Sequence, residues 1–189
     1  MKRIVILFSG IGNNLLNIIE RLHLKEVEVV AAITNRPKAG GIAKAKAHDV
    51  KVEVIDHTLY ESREAFDERL LETIEKYRPD LVVMAGFMRI LTPIVTDNIK
   101  AINVHPSLLP LFKGANAIER SFESDEPYGG ISVHWVSSEL DGGEIIAQKQ
   151  FEKTQEESLE SFTEKIHQLE YELLPESIRS ILKTTSDKV

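Results

Sequence analysis

The chain has 189 residues, a formal net charge of −7 and no cysteine. Disulfide bonds, thiolate metal sites and a cysteine nucleophile are therefore excluded, and such an acidic chain is a poor general binder of nucleic acid. No apolar run approaches membrane-spanning length, and the run at residues 4–8 passes into glycines rather than a signal cleavage site. These features predict a single cytoplasmic domain over residues 1–189, without a membrane or nucleic-acid partner.

Short β-rich runs alternate with helical patterns through the first half of the chain. Residues 4–8 predict a strand buried on both faces, and residues 13–24 carry leucine and isoleucine at helical spacing. In chain order, the predicted elements are strand 4–8, helix 13–24, strand 27–34, helix 41–48, strand 52–55, helix 62–77, strand 81–85, strand 101–104, helix 115–124, strands 131–136 and 144–151, and a helix from 158 to about 183 that is interrupted at Pro175. This order predicts an α/β fold with a doubly wound, mostly parallel sheet, antiparallel C-terminal strands and a long C-terminal helix.

An amide, an imidazole and a carboxylate form the most informative chemical pattern. Asn103 and His105 follow a predicted strand two residues apart, so an extended backbone points them the same way. Asp141 begins a later Asp-Gly-Gly turn. Asparagine can bind a developing oxyanion, histidine can move a proton, and a carboxylate can orient and charge that histidine. The pattern predicts acyl-type chemistry on a carbonyl; the alternative is a strand ending in a Pro-rich loop with His105 as an ordinary polar residue.

Two further segments predict ligand contacts. The turn Ser9-Gly10-Ile11-Gly12 joins the first strand to the first helix, whose N-terminal N–H groups could bind an anion. The alternative is a tight turn capped by Asn13. Residues 87–91 follow the fourth strand, where open α/β sheets bind ligands, and could form an apolar slot that reads a heterocycle through backbone groups. The alternative there is a core-packing turn.

The remaining histidines are weaker candidates. His23, His48 and His57 lie near predicted element ends, where capping or solvated roles are usual. His134 lies in the strand 131–136, on the face opposite Val133, and could face either a cleft or the surface. No histidine and carboxylate pair has compact metal-ligand spacing, so the sequence predicts no required metal.

Four motifs together resemble one family over nearly the whole length. They are Ser9-Gly-x-Gly-x-Asn-Leu15, Ala85-Gly-Phe-Met-Arg-Ile-Leu91, Asn103-Val-His-Pro-Ser-Leu-Leu-Pro110 and Glu139-Leu-Asp-Gly-Gly143. The chain resembles the folate-dependent phosphoribosylglycinamide formyltransferases of purine synthesis. The resemblance implies a Rossmann-like fold of the formyltransferase type, with a phosphate-binding half at 1–100 and a catalytic half at 101–189. It implies transfer of the formyl group of 10-formyltetrahydrofolate, a co-substrate, to the amine of glycinamide ribonucleotide, with no metal.

The resemblance also implies roles for individual residues. Asn103, His105 and Asp141 are similar to the catalytic trio. The residues that resemble the substrate phosphate and ribose site are Gly12, Asn13, Asn14, Gln168 and Glu170. The residues that resemble the folate site are Arg63, Met88, Arg89, Ile90, Leu91, Asn103, Ser137, Ser138, Glu139, Leu140 and Asp141.

Two departures from the family pattern leave alternatives open. Asn13 stands where many members have serine, so a hydroxyl contact would be replaced. The run Gly114-Ala115-Asn116 resembles formyltetrahydrofolate deformylases, which use water as the nucleophile. The deformylase is expected to carry a regulatory N-terminal domain, and a methionyl-tRNA formyltransferase a basic RNA-binding domain, neither of which this sequence predicts. A non-catalytic nucleotide-binding module is the alternative from another class, and it would not require the trio.

Overall fold

The computed structural model describes residues 1–186. Its helices and strands are, in chain order, β1 (Lys2–Phe8), α1 (Asn13–Leu22), β2 (Val27–Thr34), α2 (Gly41–Ala47), β3 (Val52–Val54), α3 (Arg63–Tyr77), β4 (Leu81–Met84), α4 (Pro93–Thr96), β5 (Ala101–His105), α5 (Ala117–Glu123), β6 (Tyr128–Trp135), β7 (Ile145–Glu152) and α6 (Leu159–Ser186). A single 3₁₀ turn lies at His57–Leu59. Within residues 1–186, no helix is long and apolar enough to cross a membrane.

The strands form one sheet of order β3-β2-β1-β4-β5-β6-β7. The pairs from β3 to β5 are parallel, whereas β6 pairs antiparallel with both β5 and β7. The predicted α/β class, the mostly parallel sheet and the late antiparallel strands are confirmed. β6 and β7 have no helix between them that could carry the chain back for a parallel pairing, so they pair antiparallel. β5 and β6 pair antiparallel although α5 lies between them.

Helices cover both faces of the sheet. Alternate residues of β1 supply the two layers: Ile4 and Ile6 pack in a core with residues of α1 and α6, while Val5 and Leu7 pack in a second core with Phe66 and other residues of α3. β1 is therefore buried on both faces, as its continuous apolar sequence predicts.

The C-terminal helix corrects one expectation. α6 continues through Pro175, so the predicted interruption there is wrong. Proline has no N–H to donate to the carbonyl four residues earlier, which belongs to Tyr171. The side chain of Asn17 on α1 donates a hydrogen bond to that carbonyl at 2.9 Å instead. A neighbouring helix thus satisfies the group that proline leaves unpaired.

Smaller differences lie at the ends of elements. α1 begins at Asn13 with Gly12 as its N-cap, and no side chain caps it, so a cap by Asn13 is wrong. Gly12 has φ +76°, and a Cβ there would lie 2.6 Å from the Cα of Gly41. The short helix α4 was not predicted, because four residues carry no readable period. β6 begins three residues earlier than predicted, through two glycines packed against α6 and β7.

The sheet order places the carboxyl ends of β1, β4 and β5 next to one another. The chain leaves β1 toward β2 on one side, whereas β4 lies on the other side. Ligands of open α/β sheets bind at such a change of direction. The Gly-rich turn after β1, the loop after β4 and the Asn/His segment at the end of β5 therefore meet at one edge.

Candidate active site

β5 and β6 place three polar side chains side by side. Antiparallel pairing sets Asn103 of β5 opposite His134 of β6, and Nδ2 of Asn103 lies 3.3 Å from Nε2 of His134. His105, two residues along β5, is 6% exposed and His134 is 3% exposed. All three side chains line one cavity. The two-residue spacing of Asn103 and His105 therefore brings both to the same site.

Asp141 joins this cluster from the loop between β6 and β7. Its Oδ2 lies 3.4 Å from Nδ1 of His105, its Oδ1 lies 3.6 Å from Nε2 of His134, and Oδ2 also accepts the N–H of Gly114 at 2.8 Å. The loop packs closely on β6, because a Cβ at Gly143 would lie 1.7 Å from the carbonyl oxygen of Trp135. Asp141 itself has φ +50°, a left-handed conformation that aspartate tolerates better than most residues. The Asp-Gly-Gly turn thus delivers a carboxylate to both histidines.

The ring of His105 lies between two oxygen acceptors. Its Nε2 lies 2.8 Å from the carbonyl oxygen of Phe112, which can only accept, so Nε2 carries a proton. Its Nδ1 faces the Asp141 carboxylate. A neutral ring would turn a lone pair toward that carboxylate, whereas an imidazolium donates to both oxygens. When the ring is protonated, Nδ1 and Nε2 therefore each have an oxygen to donate to.

His134 has the opposite environment. Burial is the largest influence on its pKa and lowers it below the ordinary value, although the charge of Asp141 acts against this. Its Nδ1 lies 2.9 Å from the carbonyl oxygen of Trp135 and so carries the proton. In the neutral ring, Nε2 is then an acceptor for the Asn103 amide. His134 thereby orients Asn103 and leaves its second amide N–H for another acceptor.

A second polar cluster lies where α1 and α6 meet. Asn14 donates from Nδ2 to Oε2 of Glu170 at 3.1 Å. Glu170 is 8% exposed, and burial raises its pKa to about 7 despite that hydrogen bond. Within residues 1–186, Oδ1 of Asn14 is buried and meets no hydrogen-bond partner. A ligand that donates a hydrogen bond would satisfy this acceptor.

The loop after β4 forms an apolar wall. Met88 and Ile90 are 67% and 49% exposed, whereas Phe87 and Leu91 are buried. Arg89 turns back, with its guanidinium carbon 4.6 Å from the ring centre of Phe66. Large exposed apolar side chains beside a cavity are typical of a site for a flat, partly apolar ligand.

One cavity of about 560 Å³ connects these parts. Asn14 and Glu170 lie among its lining residues, as do Asn103, His105, His134, Asp141 and the apolar loop. Its size suits a small-molecule site. Polar groups for a hydrogen-bonding ligand and an apolar wall thus share a space with the Asn/His/Asp cluster.

Comparisons with known proteins identify this arrangement. Residues 2–178 match the protein family described as formyl transferase. The chain belongs to that family. The crystal structure of phosphoribosylglycinamide formyltransferase from Campylobacter jejuni is 53% identical, superposes with a TM-score of 0.93, and the match covers 96% of this chain and 97% of that one.

Curated relatives agree with the structural match. Phosphoribosylglycinamide formyltransferase of Bacillus subtilis is 33% identical over 186 residues, which cover 96% of this formyl transferase and 95% of the relative. The trifunctional purine biosynthetic protein adenosine-3 of Bos taurus is 36% identical over 95% of this chain, which spans only 18% of that longer protein.

The predicted site residues of this formyl transferase fall into two groups. Those that line the cavity are Asn14, Met88, Arg89, Ile90, Leu91, Asn103, His105, Ser137, Glu139, Leu140, Asp141 and Glu170. Those that do not line it are Gly12, Asn13, Arg63, Ser138 and Gln168. Arg63 contacts the site indirectly, since its Nη2 donates to the carbonyl of Ile90 at 2.7 Å. The side chain of Asn13 is engaged by Lys44 at 2.6 Å.

Gln168 differs most from its expected place. It is exposed and lines a separate surface groove but not the cavity. His167 lines both, and Glu170 lines the cavity. Residues three apart share a helix face and residues two apart do not. Counting back from Glu170 along α6 therefore selects His167, a signal that the sequence already contained. His134 also lines the cavity. The sequence does not predict this, because strand alternation does not determine which face of β6 meets the cavity.

The run that resembles deformylases has a local structural explanation. Gly114 has φ +79° and donates its N–H to Asp141. Asn116 has φ +55° at the N-cap of α5, a conformation that glycine and asparagine adopt most readily.

Within residues 1–186, no group of three or more histidine, cysteine and acidic residues is arranged to hold a metal ion.

Proposed function

We propose that this protein transfers the formyl group of 10-formyltetrahydrofolate to the amine of glycinamide ribonucleotide. The observation that carries the proposal is the meeting of Asn103, His105 and Asp141 in one cavity, between the Asn14–Glu170 cluster and the apolar loop at 87–91. The family and the similar crystal structure named above support the same reaction. A cytoplasmic location is part of the proposal.

The two ends of the cavity suit the two substrates. The Asn14–Glu170 cluster adjoins the turn at Gly12 and the N-terminus of α1, which can bind the phosphate of the ribonucleotide through N–H groups. Asn14 and Glu170 suit the ribose hydroxyls. The apolar wall at Met88 and Ile90 suits the folate ring system. Binding both ligands would place the amine and the formyl carbon beside His105, and such positioning can lower a barrier by several kcal/mol, about 7 in favourable cases.

The catalytic cluster would stabilise the charge that develops. As the amine nitrogen bonds to the formyl carbon, the carbonyl electron pair moves to oxygen. The free N–H of Asn103 and the Nδ1–H of protonated His105 can both donate to that oxygen. The oxygen then re-forms the carbonyl as the bond from the formyl carbon to the folate nitrogen breaks. The amine nitrogen gives up one proton, the folate nitrogen takes one up, and tetrahydrofolate leaves. No covalent intermediate with the protein is formed.

The test is whether turnover needs the acceptor. Tetrahydrofolate production from 10-formyltetrahydrofolate should require glycinamide ribonucleotide, and His105→Ala should lower kcat by about a hundredfold or more. His48→Ala, at an exposed histidine that follows α2, is the matched control and should keep full activity. Formate release without an acceptor, unchanged by adding one, would replace the proposal with the deformylase. An absence of any folate turnover would favour a binding module.

Asn14→Ala separates the two substrate ends of the cavity. The substitution removes both the bond to Glu170 and the unpartnered Oδ1, so it should raise KM for glycinamide ribonucleotide more than KM for the folate. Equal changes in the two KM values would argue against a ribonucleotide subsite at Asn14.

A further inference from the structure

The loop at residues 86–92 has no helix or strand to define its shape, yet its backbone is tied to the body of the protein at every second residue. The loop contains the exposed Met88 and Ile90 that form the apolar wall. The ties, in chain order, are Gly86 O with Ser9 N–H at 3.0 Å, Met88 N–H with Ser9 Oγ at 2.8 Å, Ile90 O with Arg63 Nη2 at 2.7 Å, and Thr92 N–H with Asp67 Oδ2 at 2.6 Å. These ties fix the position of the loop, whose residues 86–91 line the cavity.

The residues between these ties keep free backbone groups. Among the described residues, the N–H and C=O groups of Arg89 and Leu91 have no protein hydrogen-bond partner. Leu91 is only 5% exposed and both residues line the cavity, so a ligand bound there can satisfy their unpaired groups. Backbone groups can read a heterocycle only if the peptide planes are held in one orientation.

Ser9 supplies two of the four ties and is itself held in place. It is 1% exposed at the end of β1, and its hydroxyl donates to Oδ1 of Asn35 at 2.5 Å. Because that donation uses the only hydroxyl proton, the oxygen faces Met88 N–H as an acceptor. Asn35 is also 1% exposed, and its backbone carbonyl oxygen accepts from the N–H of His57 at 3.3 Å and lies 2.8 Å from Nδ1 of that ring. The 3₁₀ turn thus holds the backbone of Asn35, and the Asn35 side chain holds the Ser9 hydroxyl.

We infer that Ser9 is a positioning residue for the formyl donor: its buried hydroxyl holds the Met88 peptide so that the loop presents the backbone of Arg89 and Leu91 to the folate ring. The inference rests on the proposed function for the identity of the ligand. Ser9 touches neither the reacting atoms nor the cavity, so it acts through the loop. The same residue opens the Gly-rich turn, but its hydroxyl is directed to the loop and not to that turn.

The test is Ser9→Ala, which removes the hydroxyl and leaves the backbone tie to Gly86. A buried hydrogen bond lost in this way corresponds to roughly a tenfold change in affinity. We expect tetrahydrofolate to bind about tenfold more weakly by titration calorimetry, KM for 10-formyltetrahydrofolate to rise similarly, and kcat and KM for glycinamide ribonucleotide to change less than about threefold. The Met88 amide should exchange its hydrogen faster in the variant.

Thr34→Val is the matched control. Thr34 ends β2 one residue before Asn35, is fully buried, and uses its hydroxyl on Arg36 without touching the loop. It should leave tetrahydrofolate affinity unchanged. Asn35→Ala, which frees the Ser9 hydroxyl to rotate, should weaken tetrahydrofolate binding in the same direction as Ser9→Ala and serves if the first variant fails to fold.

The outcomes separate the inference from the proposed function. Unchanged tetrahydrofolate affinity in Ser9→Ala and Asn35→Ala would overturn the positioning role while wild-type formyl transfer stands. Equal weakening in Thr34→Val would also overturn it, since general softening of the strand ends would then explain the effect. A wild-type protein that binds tetrahydrofolate but forms no formylated ribonucleotide would refute the proposed function, with the role of Ser9 still decided by binding.

Discussion

Replacing Asp141 with asparagine tests whether the charge of that side chain drives the reaction. The substitution keeps the shape of the side chain and an oxygen that can still accept the Gly114 N–H, now 2.8 Å away. The loop should therefore stay in place. What is lost is the negative charge 3.4 Å from Nδ1 of His105, which would attract an imidazolium formed there during the reaction.

The expected size of the effect follows from that distance. Two unit charges 3.4 Å apart attract by about 1 kcal/mol in bulk water and by about 5 kcal/mol at an effective dielectric constant of about 20. These limits correspond to roughly a tenfold and a few thousandfold change in rate. Both side chains are 7% exposed, which places the effect toward the upper limit. We expect kcat of Asp141→Asn to fall by about a thousandfold.

Steady-state kinetics with both substrates provide the assay. Asp125→Asn, which removes one charge at an exposed position, should leave kcat unchanged. If Asp141 acts through His105, the double variant Asp141→Asn with His105→Ala should be little slower than His105→Ala alone. A kcat for Asp141→Asn within about threefold of wild type, or losses that simply add in the double variant, would refute the charge argument.

Three other predictions concern the buried titratable groups and α6. The pKa of Glu170 is raised from 4.5 to about 7, so the unfolded chain loses this proton at lower pH than the folded protein. The free energy of unfolding should therefore fall by up to about 3 kcal/mol as the pH rises through that window. Urea unfolding at pH 5 and pH 8 should show this decline in the wild type but not in Glu170→Gln, and an equal decline in both proteins would contradict it. His134→Leu, which leaves Asn103 without its acceptor, should lower kcat by about tenfold, whereas His134→Gln should retain more activity. Because burial lowers the pKa of His134, the unfolded chain takes up a proton at this residue before the folded protein does as the pH falls below 6.5. The free energy of unfolding of the wild type should therefore decline below that pH, and that of His134→Gln should decline less. His167→Ala should raise KM for glycinamide ribonucleotide and Gln168→Ala should not. The reverse pattern would support the role of Gln168 that the family resemblance implies.

Elements with strong local patterns could be predicted from the sequence. β1 carries an unbroken apolar run because both of its faces are covered, and β6 and β7 lie close in sequence with only a turn between them. Asn103 and His105 could be paired because strand geometry relates residues two apart. These predictions depend only on the spacing of residues along one element, so contacts with distant parts of the chain do not alter them.

Features set by distant contacts could not be predicted in this way. Pro175 fits within α6 because Asn17, on another helix, bonds to the freed carbonyl. Asn13 is the first residue of α1 and not its N-cap, and Lys44 of α2 binds its side chain. The sequence alone does not identify either Asn17 or Lys44 as the partner. The position of His134 depends on which face of β6 meets the cavity, and that depends on its pairing with β5.

The protonation of the site depends on the same distant contacts. One carboxylate, Asp141, lies beside two histidines and can balance the charge of only one of them. His105 has a second acceptor in the Phe112 carbonyl, which suits the imidazolium, whereas His134 has a donor, the Asn103 amide, at Nε2. The two rings therefore differ in their hydrogen-bond partners, and burial lowers the pKa of His134. In the proposed reaction, a protonated His105 and an Asn103 amide oriented by a neutral His134 would each donate to the developing oxyanion.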